Sequence, residues 1–185
     1  EALGAKIELA PEQVARCLRQ VGLGFMFAPA FHPAMRFAAG PRREIGVRTV
    51  FNILGPLTNP AGAQAQVLGV ADASLAEKMV QVLERLGCHH ALVVHGEDGL
   101  DELTIAGSTL VYELKDGRIR FYTVTPEAVS LPRADSRAVK GGSPQENAAA
   151  MRQVFAGQKG PLRDIVLLNS AAALLAADRA ADLAE

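Results

Sequence analysis

The sequence predicts an α/β domain: a mixed, mainly parallel central sheet flanked by helices, with an appended β-hairpin. Three observations predict it. Two short apolar runs, residues 66–70 and 90–96, bracket a stretch of helical periodicity, and strand–helix–strand order implies a parallel pair covered on both faces. Asp116-Gly117 sits between two further strand-like segments, which is the signature of a two-residue antiparallel turn. From Ser143 onward the pattern is helical.

Taken in order, residues 11–21 read as an amphipathic helix. Pro11 suits the first turn, Glu12 complements the positive end of the helix dipole, and Gly22 closes it. Val14, Leu18 and Val21 share one face, with Cys17 alongside. Phe25-Met26-Phe27-Ala28 is expected to be a buried strand ended by Pro29, and residues 32–39 a helix that tolerates Pro33 near its start. Across residues 40–62 glycine and proline recur, so tight turns must separate short elements there. Such a rigid segment is either a structural crossing or a binding wall.

The rhythm then becomes regular. Residues 66–70 form a strand, Ser74 is expected to cap a helix running to about Leu86, and Gly87 stops it. Residues 90–96 form the next strand, 108–114 and 118–124 the hairpin, and 143–155 and 161 onward the closing helices.

Composition narrows the function classes. With 49% hydrophobic and 21% charged residues, the 185-residue chain is ordinary for a globular protein. A net charge of −1 offers no footprint for nucleic acid or anionic lipid. The greasiest stretch, residues 165–177, is broken by Asn169 and Ser170 and is shorter than the roughly 20 residues of a membrane span, so no membrane partner is expected. Cys17 and Cys88 fit no metal-ligand spacing and are read as buried thiols in a reducing cytosol. Residues 1–5 lack the basic start and apolar run of a secretory leader, which leads to a cytoplasmic expectation. The missing initiator Met leads to the expectation that the N-terminus is not the natural one.

In a parallel sheet, ligands bind beyond the carboxyl ends of the strands. That directs attention to residues 96–102, where Glu97, Asp98, Asp101 and Glu102 crowd between glycines. Unpaired carboxylates repel one another, so a hard cation such as Mg²⁺, bridged to substrate phosphates, is one natural partner; a plain acidic surface loop is the other reading. Arg42 and Arg43 follow Pro41. A guanidinium there could fork onto a carboxylate or phosphate, or simply pair with Glu44 in solvent. His32, beside Pro29 and Phe31, either orients a ligand or packs at a helix start. His89 and His90 are adjacent, so they should face opposite sides and not share a metal. Lys140-Gly141-Gly142-Ser143 is either an anion nest ahead of a helix or an ordinary turn.

Longer stretches carry a family likeness. Gly24 to Pro29, His32 to Arg36, and above all Arg42 to Pro60 with its Arg-Thr-Val-Phe-Asn-Ile-Leu-Gly-Pro-Leu-Thr-Asn-Pro run closely resemble the anthranilate phosphoribosyltransferases. The likeness continues through His95-Gly96, Leu100 to Leu103, Gly141-Gly142 with Asn147-Ala148, and Asp164 to Ala171. The resemblance implies transfer of a phosphoribosyl group from phosphoribosyl diphosphate to the amino group of anthranilate, in tryptophan biosynthesis. It implies that Arg42 receives the anthranilate carboxylate, that Asp101 and Glu102 bind Mg²⁺ associated with the diphosphate, and that Pro29 and His32 wall the anthranilate channel. Met35 stands where some relatives carry an aromatic residue. The arginine and the acidic pair are thereby expected to converge on one cleft.

The family's Gly-Thr-Gly-Gly-Asp and Lys-His-Gly-Asn segments do not occur in these residues, nor does the N-terminal helical domain through which its members form homodimers. Residues 1–185 are therefore expected to be most of the C-terminal α/β catalytic domain, truncated at both ends and inactive alone. Two rival readings share the architecture: a pyrimidine nucleoside phosphorylase-like enzyme, and a noncatalytic nucleic-acid-binding relative.

Overall fold

The computed structural model describes residues 1–32, 37, 40, 44, 46, 54–55 and 57–184. The chain divides into two compact units, Glu1–Pro60 and Ala61–Glu185.

In the first unit, helix α1 spans Pro11–Val21. Ala10 cannot cap with its own side chain, so Gln13 reaches back, its Oε1 accepting from the Ala10 N–H at 2.9 Å. Gly22 takes the left-handed conformation (φ 81°) and donates its N–H to Leu18 O. Of the expected apolar face only Val14 is buried; Leu18 and Val21 are exposed. The strand expected at residues 25–28 is not there. Ala28–Phe31 is instead a single helical turn, α2, with Pro29 at its start and His32 as its C-terminal cap. The reason is local: proline presets a helical φ, and the His32 N–H closes onto Ala28 O at 2.9 Å. The helix expected over 32–39 lies mostly outside the described residues.

The second unit holds a four-stranded sheet in the order β1 (Ala65–Gly69), β2 (His90–Gly96), β3 (Thr109–Lys115), β4 (Arg118–Val124). β1 and β2 run parallel, with Val67 opposite Leu92. Between them α3 (Ala73–Arg85) makes the crossover. Its cap is Asp72, not Ser74 as expected: Asp72 Oδ1 accepts from both the Ser74 N–H (2.9 Å) and the Ser74 hydroxyl (2.7 Å). Ala76, Met79, Val80 and Leu83 recur at helical spacing and bury this helix against the sheet. The opposite layer is α5 (Pro161–Ala176), whose Leu168, Ala172 and Leu175 join Leu92, Val94, Leu103, Ile105 and Val111 in one cluster. β2 is therefore dry on both faces, with Ala91, Leu92, Val93 and Val94 wholly buried. Each such Val or Leu contributes about 1.5–3 kcal/mol relative to exposure.

The α/β class and the mixed sheet match the expectation; the balance within the sheet does not. Among the described residues one strand pair is parallel and two are antiparallel. The expected hairpin extends the sheet at its edge: β3 pairs with β2 along its whole length, from His90–Lys115 to Gly96–Thr109. Its turn has positive φ at both Asp116 (49°) and Gly117 (73°), the two-residue geometry whose twist matches that of the strands. Tyr112 and Phe121, directly opposed on β3 and β4, meet with tilted rings 4.9 Å apart between centres. Arg118 and Arg120 on exposed β4 discourage further strand pairing. Helix α4 (Pro144–Phe155) completes the unit.

Past the end of α5, Asp178 fastens this helix to the start of the sheet. It accepts from Lys115 Nζ at 2.7 Å and lies 3.0 Å from Nδ1 of fully buried His90. His89 also approaches it, at 3.7 Å, contrary to the expectation that the two histidines diverge. His89 precedes the strand, where strict side-chain alternation does not apply. The Lys115 ammonium, and His90 after it, hold the Asp178 carboxyl below its usual range. A depressed carboxyl pKa stabilises the fold above the unfolded value, and the contribution is lost as pH falls through the folded value. Asp178→Asn should therefore melt lower than the parent at neutral pH, with the gap closing below about pH 4. A gap of constant size across an acid titration of melting temperature would remove Asp178 from this role.

Candidate functional site

The carboxyl ends of β1 and β2 lie side by side, and the chain leaving β2 folds back across them. His95 Nδ1 sits 2.8 Å from Val70 O, tying the exits of the two strands together. The loop that follows is pinned by its own backbone: Gly96 N–H donates to Leu100 O, and Gly99 N–H to Gly96 O, both at 2.8 Å. Two of its four carboxylates are then engaged in structure. Glu97 Oε2 accepts from Ser108 N–H at 3.2 Å, and Asp98 Oδ2 from the Thr104 hydroxyl at 3.0 Å.

Asp101 and Glu102 are left. Both are exposed, and among the described residues neither carboxylate has a hydrogen-bond or ion-pair partner. Their backbone is held tightly even so. A Cβ on Gly69, the last residue of β1, would fall 1.6 Å from the Asp101 carbonyl oxygen, so only glycine admits the loop this close. On the other side, Leu103 is wholly buried in the core cluster. Asn169 of α5 brackets its backbone: Oδ1 accepts from Leu103 N–H at 3.0 Å and Nδ2 donates to Leu103 O at 2.9 Å. Partial desolvation, and then the neighbouring Asp101 charge, push the Glu102 carboxyl up. Two neighbouring negative groups with no counter-charge among the described residues favour a cation.

The donor set fits Mg²⁺. Among the described residues no three His, Cys, Asp or Glu side chains gather into a cage. Mg²⁺ does not require one, since it keeps several waters and is commonly held by one or two carboxylates plus substrate phosphate.

The remaining candidates fall as follows. Pro29 is exposed and His32 half-buried, on and just after α2 in the first unit. Arg42 and Arg43 lie outside the described residues, as does the expected convergence of Arg42 with the acidic pair. The possible anion nest at residues 140–143 is answered by the chain itself. Ser143 N–H donates to Glu146 Oε2 at 2.7 Å and Glu146 N–H to Ser143 Oγ at 3.3 Å, closing a capping box on α4, while Gly142 N–H donates to Asn147 Oδ1 at 2.8 Å. A cavity of about 510 Å³ opens beside it, lined mainly by apolar side chains such as Met151, Phe155, Leu162 and Val166. Cys17 and Cys88 are free thiols, and burial pushes Cys88 up, away from nucleophilic use. No helix among the described residues is long and apolar enough to cross a membrane.

Gly69 carries no functional signal in the sequence, and Asn169 only that of a carboxamide interrupting the apolar run of α5.

Known proteins place this geometry in context. A family model described as the glycosyl transferase family, a/b domain, matches residues 1–185. The chain is 60% identical over 186 residues to the anthranilate phosphoribosyltransferase of Chloroflexus aggregans, covering 100% of this chain and 55% of that protein. It is 58% identical over 180 residues to that of Moorella thermoacetica, covering 97% and 53%. The chain thus spans about half the length of the curated relatives it matches. Among solved structures, the anthranilate phosphoribosyltransferase of Thermus thermophilus superposes with a TM-score of 0.91 at 50% identity, over 99% of this chain and 54% of that one. The Saccharomyces cerevisiae enzyme in complex with PRPP and Mg gives 0.89 at 25% identity, over 99% and 53%.

Proposed function

The chain belongs to the glycosyl transferase family, as its a/b domain, and from that premise we propose that it is most of the C-terminal catalytic domain of an anthranilate phosphoribosyltransferase. The reaction moves the 5-phosphoribosyl group of phosphoribosyl diphosphate onto the amino group of anthranilate and releases diphosphate. The observation that carries the reading is the Asp101–Glu102 pair beyond the sheet's carboxyl edge, with its backbone held closely and its carboxylates without a partner among the described residues, in a chain alike throughout to proteins of that activity. A cytoplasmic homodimer, assembled through a helical domain outside these residues, belongs to the same proposal.

When bound, Mg²⁺ supplies charge neutralisation at the departing diphosphate. Asp101 and Glu102 would hold it, directly or through its waters. Arg42 would fork onto the anthranilate carboxylate, while Pro29 and His32 would wall the approach. The amine lone pair forms the new bond to the anomeric carbon as the carbon–oxygen bond to diphosphate breaks, and the aminium proton passes to solvent. An arylamine is already unprotonated near neutrality, so these residues serve by alignment. Holding two reactants in register is worth up to roughly 7–11 kcal/mol.

The test is anthranilate fluorescence in the full-length protein. It should fall only when both phosphoribosyl diphosphate and Mg²⁺ are present. Release of thymine from thymidine and phosphate would instead favour the phosphorylase reading, and salt-sensitive DNA binding without turnover the noncatalytic one. Arg42→Ala should raise the KM for anthranilate about tenfold or more, the loss of one charged bidentate contact, while barely moving that for the diphosphate substrate. An unchanged anthranilate KM would take Arg42 out of the site.

A further inference from the structure

We propose that Asn169 is a positioning residue for the metal-binding pair: its carboxamide grips both backbone polar groups of Leu103 and so fixes the direction in which Asp101 and Glu102 leave the fold. The inference rests on the reading of that pair as Mg²⁺ ligands.

The geometry is reciprocal. Asn169 accepts from Leu103 N–H at 3.0 Å and donates to Leu103 O at 2.9 Å, while its second amide hydrogen goes to Ile165 O, one turn earlier in α5, at 3.0 Å. Only a carboxamide offers an acceptor and two donors in one planar group. An aspartate could not donate, and a serine is too short to span both atoms. The bond to Ile165 fixes the rotamer, so the bracket is held by the helix rather than by the loop. Since the Leu103 side chain is sunk in the core, residue 103 is pinned by both its side chain and its backbone.

Glu102 is bonded directly to that anchor, and Asp101 rests against Gly69. Among the described residues the two carboxylates have no hydrogen-bond or ion-pair partner, so their fixation comes from their backbone. Hydrogen bonds that orient metal ligands change affinity by about 10–100-fold, and an anchor one residue removed belongs at the lower end of that range. The partners stand 66 residues apart, so the bracket also couples α5 to the site.

The test uses the full-length protein, Mn²⁺ as the spectroscopic substitute for Mg²⁺, and inorganic diphosphate, with no turnover. Asn169→Ser retains a hydroxyl for Ile165 O but loses both contacts to Leu103. It should weaken Mn²⁺ binding about tenfold and accelerate hydrogen exchange at the Leu103 amide. Leu83→Ala, which removes core packing under α3 outside the cluster that holds Leu103, should lower the melting temperature and leave Mn²⁺ binding at the parental value. Fast exchange at Leu103 with parental Mn²⁺ affinity would overturn the proposal and leave the metal site standing. Parental affinity in Asp101→Asn/Glu102→Gln would instead dismiss the metal site, and this inference with it. If the serine variant does not fold, Asn169→Gln carries the same test, its longer arm displacing the Leu103 amide while preserving both bonding functions.

Discussion

Replacing Asp101 and Glu102 together by Asn and Gln should cut kcat/KM by about a hundredfold or more and move the Mg²⁺ saturation curve to much higher concentration. A metal that neutralises a leaving group is worth several kcal/mol at the transition state, and about 2.7 kcal/mol already corresponds to a hundredfold. The substitutions keep shape and remove only charge. Both side chains are exposed and neither has a structural partner among the described residues, so packing is untouched. Stability should hold or rise. The Glu102 carboxyl is pushed up by desolvation and by Asp101, so its charged form is disfavoured in the folded state. A raised carboxyl pKa gives stability below the unfolded value that is lost as pH rises through the folded one, and the neutral pair escapes that loss. The measurement is initial rate against Mg²⁺, beside a thermal melt of each variant. Superimposable Mg²⁺ curves for variant and parent would dismiss these two residues as ligands, whatever happened to kcat.

Why the sequence disclosed some of this and hid the rest follows from the range of the interactions. The parallel pair was readable because β2 is dry on both faces, which forces a nearly continuous apolar run. The hairpin was readable because an Asp-Gly pair tolerates the two positive φ angles that its turn requires. Each of these signals sits within a few residues of its effect. At residues 25–28 the apolar run suggested a strand, but a proline at the second position of α2 preset a helical turn. Asp72 and Ser74 are both capping residue types, and nothing local says which will sit in the extended cap conformation. The acidic loop was the subtler case. Its four carboxylates looked equivalent, yet Ser108, 11 residues from Glu97, and Thr104, 6 from Asp98, engage two of them. Which pair is left free is decided by contacts that no spacing rule encodes. Asn169 lies further beyond reach, bonding across 66 residues.

Gly69→Ala is the change with the largest expected structural effect. The added carbon would lie 1.6 Å from the Asp101 carbonyl oxygen and 2.6 Å from its carbon, and both are backbone atoms that no rotamer change can move aside. Either β1 or the loop has to shift. β1 is held in register, with Gly69 opposite Val94, Val70 N–H on Val94 O at 3.0 Å, and Val70 O against His95. Asp101 is exposed and lies in the short span between the Gly96–Leu100 hydrogen bond and the Leu103 bracket, so the loop yields first. Overpacking of this kind costs about 1–3 kcal/mol, and a collision with rigid backbone belongs at the upper end. At this chain length that lowers the melting temperature by roughly 4–12 °C. The displaced segment is the one that carries the acidic pair, so Mg²⁺ half-saturation should rise about tenfold while the KM for anthranilate stays put. Gly117→Ala separates this from mere loss of stability. It meets no atom within 4 Å and is strained only by its positive φ of 73°, so it should destabilise by about 1 kcal/mol and leave the Mg²⁺ curve unchanged. Should Gly69→Ala melt early yet bind Mg²⁺ like the parent, the strand would have moved instead, and the close approach at Gly69 would have no part in aiming Asp101 and Glu102.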